Sequence, residues 1–304
     1  MTSAGQSAVA TIELRALDEL WFQVAGTVCN LRCHHCFISC SPQNHSFEFL
    51  SFDDVEEALR DSVKHGVREY YFTGGEPFLN TDLRRILKRT LEFGPATVLT
   101  NGTVLKPEWL EELYEAEQAS RYSLEFRVSI DGPSARINDP IRGEGTFVKA
   151  IRGVSMLCEA DFLPIITMTQ TWEDSENLQI LAEFRAVLKK HGCARPRLKI
   201  LPRLKIGEEE NRTEGYQNTE RIIPEMMRDF DRDQLLCHHS RMVTSRGIYV
   251  CPILIESADA HMGETLAESL DPFAMQHGAC YTCYQYGTIC SNSSLRSVEM
   301  RAKP

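Results

Sequence analysis

Apolar positions along the chain fall into short dense blocks that alternate with longer segments of helical spacing. LWFQVAG (20–26) predicts a buried strand, and FDDVEEALRDSVKHG (52–66) predicts a helix with an acidic first turn and a closing glycine. EYYFT (69–73), ATVLT (96–100), LEFRVSIDG (124–132), FLPIITMTQ (162–170) and a strand within RLKILPRLKIG (197–207) continue the strand series. Between them LRRILKRTLEFG (83–94), KPEWLEELYEAEQA (106–119), FVKAIRGVSMLCEA (147–160) and SENLQILAEFRAVLKKHG (175–192) have helical spacing. About six strand–helix units predict an α/β fold: a parallel sheet with right-handed crossovers, curled into a partial (β/α)6 TIM-like barrel. From about residue 208 the pattern changes. GEEENRTEGYQNTE (207–220) suggests a polar linker, TERIIPEMMRDFDRDQLL (219–236) a helix interrupted by Pro224, and RMVTSRGIYVCPILI (241–255) a β-hairpin turning at Ser245-Arg246-Gly247. A boundary near 215 therefore divides a barrel domain (1–215) from a small cysteine-rich C-terminal domain (216–304) containing the hairpin.

Composition narrows the class. With 304 residues, 42% of them hydrophobic, the chain can bury a sizeable core, so disorder is not expected. No apolar run approaches the roughly 20 residues that cross a bilayer. The N-terminus, MTSAGQSAVATIELRALDEL, lacks the basic start and apolar stretch of a signal peptide, which predicts a cytoplasmic protein without membrane contact. A formal net charge of -10 argues against nucleic acid as a partner.

The eleven cysteines are unevenly placed. An odd count fits a disulfide framework poorly. Cys158 and Cys193, in apolar or mixed segments, are expected to be buried and free. Cys29, Cys33, Cys36 and Cys40 crowd the front, and Cys237, Cys251, Cys280, Cys283 and Cys290 the back. Cys29-x3-Cys33-x2-Cys36 sets three thiolates on the loop after the first strand. Zinc, with Cys40 as fourth ligand, is one reading. His34 and His35 are further possible ligands. A cluster held by three cysteines, leaving one iron open for substrate, is the other. TGGEP (73–77), TNG (100–102) and SIDGP (129–133) each follow a predicted strand, where α/β barrels place their chemistry.

Taken with DPIRGEGTF (139–147), these segments resemble the radical S-adenosylmethionine (radical SAM) enzymes over about residues 20–290, in the branch with C-terminal auxiliary clusters. The resemblance implies that Cys29, Cys33 and Cys36 hold a [4Fe–4S] cluster whose open iron takes the amino and carboxylate groups of SAM. One electron from the cluster then breaks the sulfonium, and a 5′-deoxyadenosyl radical abstracts a hydrogen atom from substrate. It further implies that Glu76 accepts from the SAM amino group and that Gly74 and Gly75 permit close backbone approach. Asn101, Ser129 and Asp131 would contact the ribose or methionine end, and Arg142 the SAM carboxylate; ordinary turn chemistry is the plainer explanation of these four. The family's aromatic residue before the third cysteine is here His35, which would stack on adenine.

The back cysteines resemble a truncated auxiliary-cluster (twitch/SPASM-like) domain, and MGETLAESL (262–270) its short linking helix. Five cysteines suffice for one auxiliary [4Fe–4S] cluster with one left over. Either Cys237, Cys251, Cys280 and Cys283 bind it and Cys290 is spare, or Cys290 binds and Cys251 is free to return a hydrogen atom to substrate. A zinc knob is the plainer alternative for C-x2-C.

The first functional reading is an epimerase or dehydrogenase of a small polar molecule such as an aminocyclitol, sugar or aminoglycoside, with flavodoxin or ferredoxin as electron donor. The alternative is an enzyme that crosslinks or epimerises a ribosomal peptide. A non-catalytic zinc protein accounts for the cysteines but not for GGEP, TNG and SIDG. Thr167, Thr169 and Glu208 are substrate-pocket candidates by position alone.

Overall fold

A computed structural model describes residues 9–287 and 289. In chain order its elements are β1 (Thr11–Ile12), β2 (Glu19–Phe22), α1 (Phe52–His65), β3 (Glu69–Phe72), α2 (Leu83–Thr90), β4 (Ala96–Thr100), α3 (Pro107–Gln118), β5 (Leu124–Ser129), α4 (Ala135–Arg142) and α5 (Thr146–Glu159). They continue with β6 (Ile165–Thr169), α6 (Asn177–Lys190), β7 (Arg197–Leu201), α7 (Glu208–Thr213), β8 (Ser240–Thr244), β9 (Gly247–Tyr249), β10 (His261–Gly263), β11 (Phe273–Ala274) and α8 (Gly278–Tyr286).

The sheet runs β10-β9-β8-β2-β3-β4-β5-β6-β7. From β8 to β7 every neighbouring pair is parallel. The six expected strand–helix units are therefore present as an open, barrel-like sheet. Its helix-facing side chains form one core that includes Phe22, Phe72, Val98, Phe126, Ile166 and Leu198. Because strand side chains alternate, the intervening positions face the lumen. There Trp21 stacks on Tyr71 with ring centroids 4.3 Å apart.

The hairpin is also present, but its first strand is part of the barrel sheet. β8 lies parallel to β2, with Glu19 opposite Ser240 and Phe22 opposite Val243, and β9 returns antiparallel to it. A long-range parallel pairing of this kind leaves no local signature in the sequence.

Several local expectations are corrected. The polar stretch after 207 contains helix α7, whose acidic first turn suits a helix N-terminus. The helix expected over 219–236 is a series of 3-10 turns at Pro224–Met227, Arg232–Gln234 and Leu236–His238. Pro224 starts the first, and Asp231, accepting from the Asp233 N–H, starts the second, so no α-helical ladder propagates. The linking helix expected at 262–270 is the end of β10 followed by a 3-10 turn at Glu268–Leu270. Gly263, at φ 131°, turns the chain out of helical geometry. An additional helix, α4, occupies the segment after SIDGP. Finally, Cys158 and Cys193 are joined in a disulfide, with Cα atoms 5.9 Å apart. Helices α5 and α6 flank adjacent strands, and this brings the end of one beside the turn that ends the other.

Candidate active site

The cysteine loop leaves β2 and closes on itself before α1. Val28 bridges to Ser41, the Cys29 N–H donates to the Ser41 carbonyl at 3.2 Å, and the Phe47 N–H donates to Thr27 Oγ1 at 3.2 Å. Gly75 packs against this loop so closely that a Cβ there would lie 1.9 Å from the Val28 carbonyl oxygen. The Gly75 N–H donates to Gly26 and the Glu76 N–H to Val28, each at 3.0 Å. The close approach that glycine permits at 75 is thus to the cysteine loop itself.

Each of the three sulfurs has a donor. The Leu31 N–H points at Cys29 Sγ (3.4 Å), the Cys40 N–H at Cys36 Sγ (3.2 Å) and the Arg142 guanidinium at Cys33 Sγ (4.0 Å). Asn101 Nδ2 also reaches Cys29 Sγ at 3.8 Å. Burial pushes the Cys29 thiol up to about 12 and Cys33 to about 11, whereas the Cys40 side chain holds Cys36 down to about 6 against burial. Cys40 itself, hydrogen-bonded to Cys36 and buried, is pushed well up. Buried thiols with donors aimed at their sulfurs suit a soft, cationic metal centre that compensates the thiolate charge.

Glu76 is wholly buried. Its carboxylate accepts from Thr100 Oγ1 at 2.7 Å, the Asn101 N–H at 2.8 Å and the Phe78 N–H at 3.1 Å. A carboxylate offers about four acceptor positions, so one remains after these three. Burial raises its pKa and the three donors act against that rise. Asn101 in turn donates to Asn30 Oδ1 at 2.9 Å, which ties the turn after β4 to the cysteine loop.

Asp131 is also wholly buried. One oxygen meets His35 Nε2 at 2.6 Å and Arg142 Nε at 2.5 Å; the other accepts the Thr169 N–H at 2.7 Å. Burial opposes its charge, but Arg142 and His35 hold its carboxyl well below the usual carboxylate range. Asn138, on α4, accepts the Asp131 N–H and donates to Thr146 Oγ1, so α4 fixes the turn that aims both side chains. Ser129 Oγ lies 3.3 Å from Thr167 Oγ1.

These residues surround one cavity of about 210 Å³ at the C-terminal ends of the parallel strands. Cys29, Cys33, Cys36 and Cys40 line it, as do His35, Gly74, Gly75, Asn101, Ser129 and Arg142. Glu76 and Asp131 stand behind that lining and hold it in place. Of the positional candidates, Thr167 and Thr169 reach the cavity; Glu208 does not, its N–H donating instead to the Cys36 carbonyl. Sequence reasoning missed Trp21, Arg127, Lys199 and Met242, which also line it. Strict alternation within LEFRVS and RLKIL was the available signal, since Arg127 and Ser129 share one strand face and Lys199 and Leu201 another.

A second, smaller cavity of about 30 Å³ is lined by Cys237, Cys251, Cys280 and Cys283 among apolar side chains such as Leu235, Val250 and Phe273. Cys251 thus sits with the other three and outside the first cavity. Burial pushes its thiol up to about 12. Cys290 lies outside the described residues. Ile253 lines both cavities and forms part of the wall between them. Among the described residues, no three His, Cys, Asp or Glu gather tightly enough for a single ion. Thiols are the donors that iron–sulfur clusters take, so the chemistry of both sets is compatible with such a cluster. Among the described residues no helix is long and apolar enough to cross a membrane.

Residues 24–181, more than half of the chain, match the Radical SAM superfamily, and the chain belongs to that superfamily. It is an enzyme family, and SAM with its [4Fe–4S] cluster comes with it. The chain is 35% identical over 144 residues to an AdoMet-dependent heme synthase of Methanosarcina barkeri, which covers 47% of this chain and 39% of that protein. It is 30% identical over 167 residues to the mycofactocin maturase MftC of Mycolicibacterium smegmatis, covering 54% and 40%. The chain therefore spans about two fifths of the length of these relatives. In fold it is similar to SuiB of Streptococcus suis, whose structure is bound to the precursor peptide SuiA: TM-score 0.61, 17% identity, 85% of this chain and 66% of that one.

Proposed function

We propose that this radical SAM enzyme modifies a peptide, with Cys29, Cys33 and Cys36 holding the SAM-binding cluster. In the same reading Cys237, Cys251, Cys280 and Cys283 hold an auxiliary [4Fe–4S] cluster. When bound to its reduced cluster, SAM would supply radical chemistry that removes a hydrogen atom from the substrate. The chain's own residues do the remainder. Glu76 would turn its remaining acceptor position to the SAM ammonium, Arg142 would meet the carboxylate, and His35, its ring fixed by Asp131, would pack on adenine. A cluster held by Cys237, Cys251, Cys280 and Cys283, behind the wall that includes Ile253, would serve as an electron acceptor, and a flavodoxin or ferredoxin would supply the reducing electron.

The observation that carries the peptide reading over the small polar substrate is the lining of the first cavity. Its charged groups among the described residues are Arg127, Arg142 and Lys199, with no Asp or Glu. An aminoglycoside or aminocyclitol, itself cationic, needs carboxylates there; like charges in a low-dielectric cavity repel. The likeness in fold to SuiB, whose structure is bound to the precursor peptide SuiA, points the same way. With Cys251 beside three other thiols, it is read as a cluster ligand and not as a hydrogen donor.

The test is 5′-deoxyadenosine release by the anaerobically reconstituted enzyme. Stimulation by peptides and none by aminoglycosides supports the reading. The reverse pattern restores the small-molecule substrate.

A further inference from the structure

The 3-10 turn that carries Cys237 leads into β8, and Arg241 on that strand is 1% exposed. Its neighbour Met242 lines the first cavity, so strand alternation turns Arg241 to the opposite side of the sheet. There Nε donates to the Ser269 carbonyl at 2.6 Å, and Nη1 to the Cys237 and Ser240 carbonyls at 3.0 and 2.8 Å. Nη2 donates to the Asp271 carbonyl at 3.3 Å. Every one of these acceptors belongs to the backbone. The donors of the guanidinium are therefore satisfied, but its charge is not: among the described residues it forms no ion pair with an Asp or Glu. The charges that act on it are those of Cys237 and Cys251, which oppose the fall that burial imposes on its pKa.

The second cavity holds no other cation. Among the described residues its lining is four thiols and apolar side chains, with no Lys, Arg, His, Asp or Glu. Asp259, whose charge reaches Cys280, is held by His277 at 2.9 Å. Arg241 is thus a buried positive charge set beside a set of thiols and matched by no carboxylate.

A lone guanidinium in a dry interior is strongly unfavourable, and an anion next to it removes that cost. Metal-bound thiolates are such an anion. Four of them outweigh the charge of an iron–sulfur core, and reduction adds one more negative charge. A fixed cation alongside favours the reduced form, and does so most where the dielectric constant is low. We propose that Arg241 is the counter-charge of the auxiliary cluster, a positioning residue that holds the Cys237 turn by its carbonyl and raises the cluster's reduction potential. This rests on the reading of Cys237, Cys251, Cys280 and Cys283 as cluster ligands. In the step concerned the cluster gains one electron and no proton, the electron coming from dithionite in the experiment below.

The full-length reconstituted enzyme is titrated anaerobically with dithionite and followed by electron paramagnetic resonance, with and without SAM. The signal that SAM leaves unaltered belongs to the auxiliary cluster. Arg241→Gln should lower its equilibrium constant for reduction about tenfold, a fall of about 59 mV for one electron, while the SAM-sensitive signal keeps its midpoint. Arg241→Lys keeps the charge but not the fan of four carbonyls, and should stay within about threefold of wild type. Iron is counted on each preparation. If Arg241→Gln loses the auxiliary iron, full iron with a wild-type midpoint in Arg241→Lys still supports the charge. An unchanged or raised midpoint in Arg241→Gln, or a displaced midpoint or lost auxiliary iron in Arg241→Lys, overturns the proposal and leaves Arg241 a purely structural role. Zinc at the back cysteines of the wild type, or no SAM-insensitive signal, removes the auxiliary cluster itself and the proposal with it.

Discussion

The Asn101 N–H donates to Glu76 Oε2 at 2.8 Å, so the turn after β4 hangs from a carboxylate that belongs to the turn after β3. Every chain partner of that carboxylate is a donor. Glu76→Gln would set an NH2 group against one of them. We expect a folded protein with its iron intact and SAM affinity reduced roughly 10- to 100-fold, the range for a hydrogen bond to a charged group. Anaerobic equilibrium binding checks this, and an unchanged affinity removes Glu76 from the SAM site.

Asp131 carries two ring-and-guanidinium partners on one oxygen. Asp131→Asn leaves Arg142 buried beside a neutral amide. The expected loss of stability is about 3–5 kcal/mol, as for a broken buried ion pair. SAM affinity should fall in parallel because His35 and Arg142 both lose their anchor. Chemical denaturation and SAM titration of the same preparation measure the two effects.

Iron counting tests the two thiol sets. Reconstituted wild-type protein should carry about eight irons per chain, and the Cys29/Cys33/Cys36→Ala triple variant about four. About four falling to none, with zinc at the back cysteines, would leave a single-cluster enzyme.

Cys251 shares the second cavity with three other thiols. Cys251→Ala should therefore lose the auxiliary iron, about four per chain, and Cys290→Ala should keep it. If Cys251→Ala retains all its iron and still forms deoxyadenosine but no longer returns hydrogen to the substrate, Cys251 is the hydrogen donor after all.

Glu19, at the base of the lumen, is raised to about 7, first by burial and then by Glu69, against a hydrogen bond from Trp21 and the charge of Arg127. A folded state that holds this proton more tightly than the unfolded chain gains stability that is complete below about pH 4.5 and is lost as pH rises through about 7. Glu19→Gln, which keeps the shape without the charge, should flatten the fall in melting temperature between pH 5 and 8 and raise stability at the upper end. An unaltered pH profile would show that Glu19 is ionised in the folded protein at pH 5.

The strand–helix alternation was legible because it depends on local periodicity: residues two apart in EYYF and three or four apart in α1 report which face is buried whatever lies opposite. Cys29, Cys33, Cys36, GGE and TNG were legible because they are contiguous and follow strand ends. The helix expected at 219–236 was not, since Pro224 and the Asp231 cap compete with helical spacing and the outcome depends on packing. The sequence by itself determined the parallel α/β unit order and which loops carry the thiols. Only the tertiary structure decided that β8 joins the barrel beside β2, that Cys158 meets Cys193, that Glu76 and Asp131 stand behind the site, and that Arg127 and Lys199 share one cavity. Each of these joins residues far apart along the chain, and sheet curvature, which no local pattern encodes, sets which lumen-facing side chains meet.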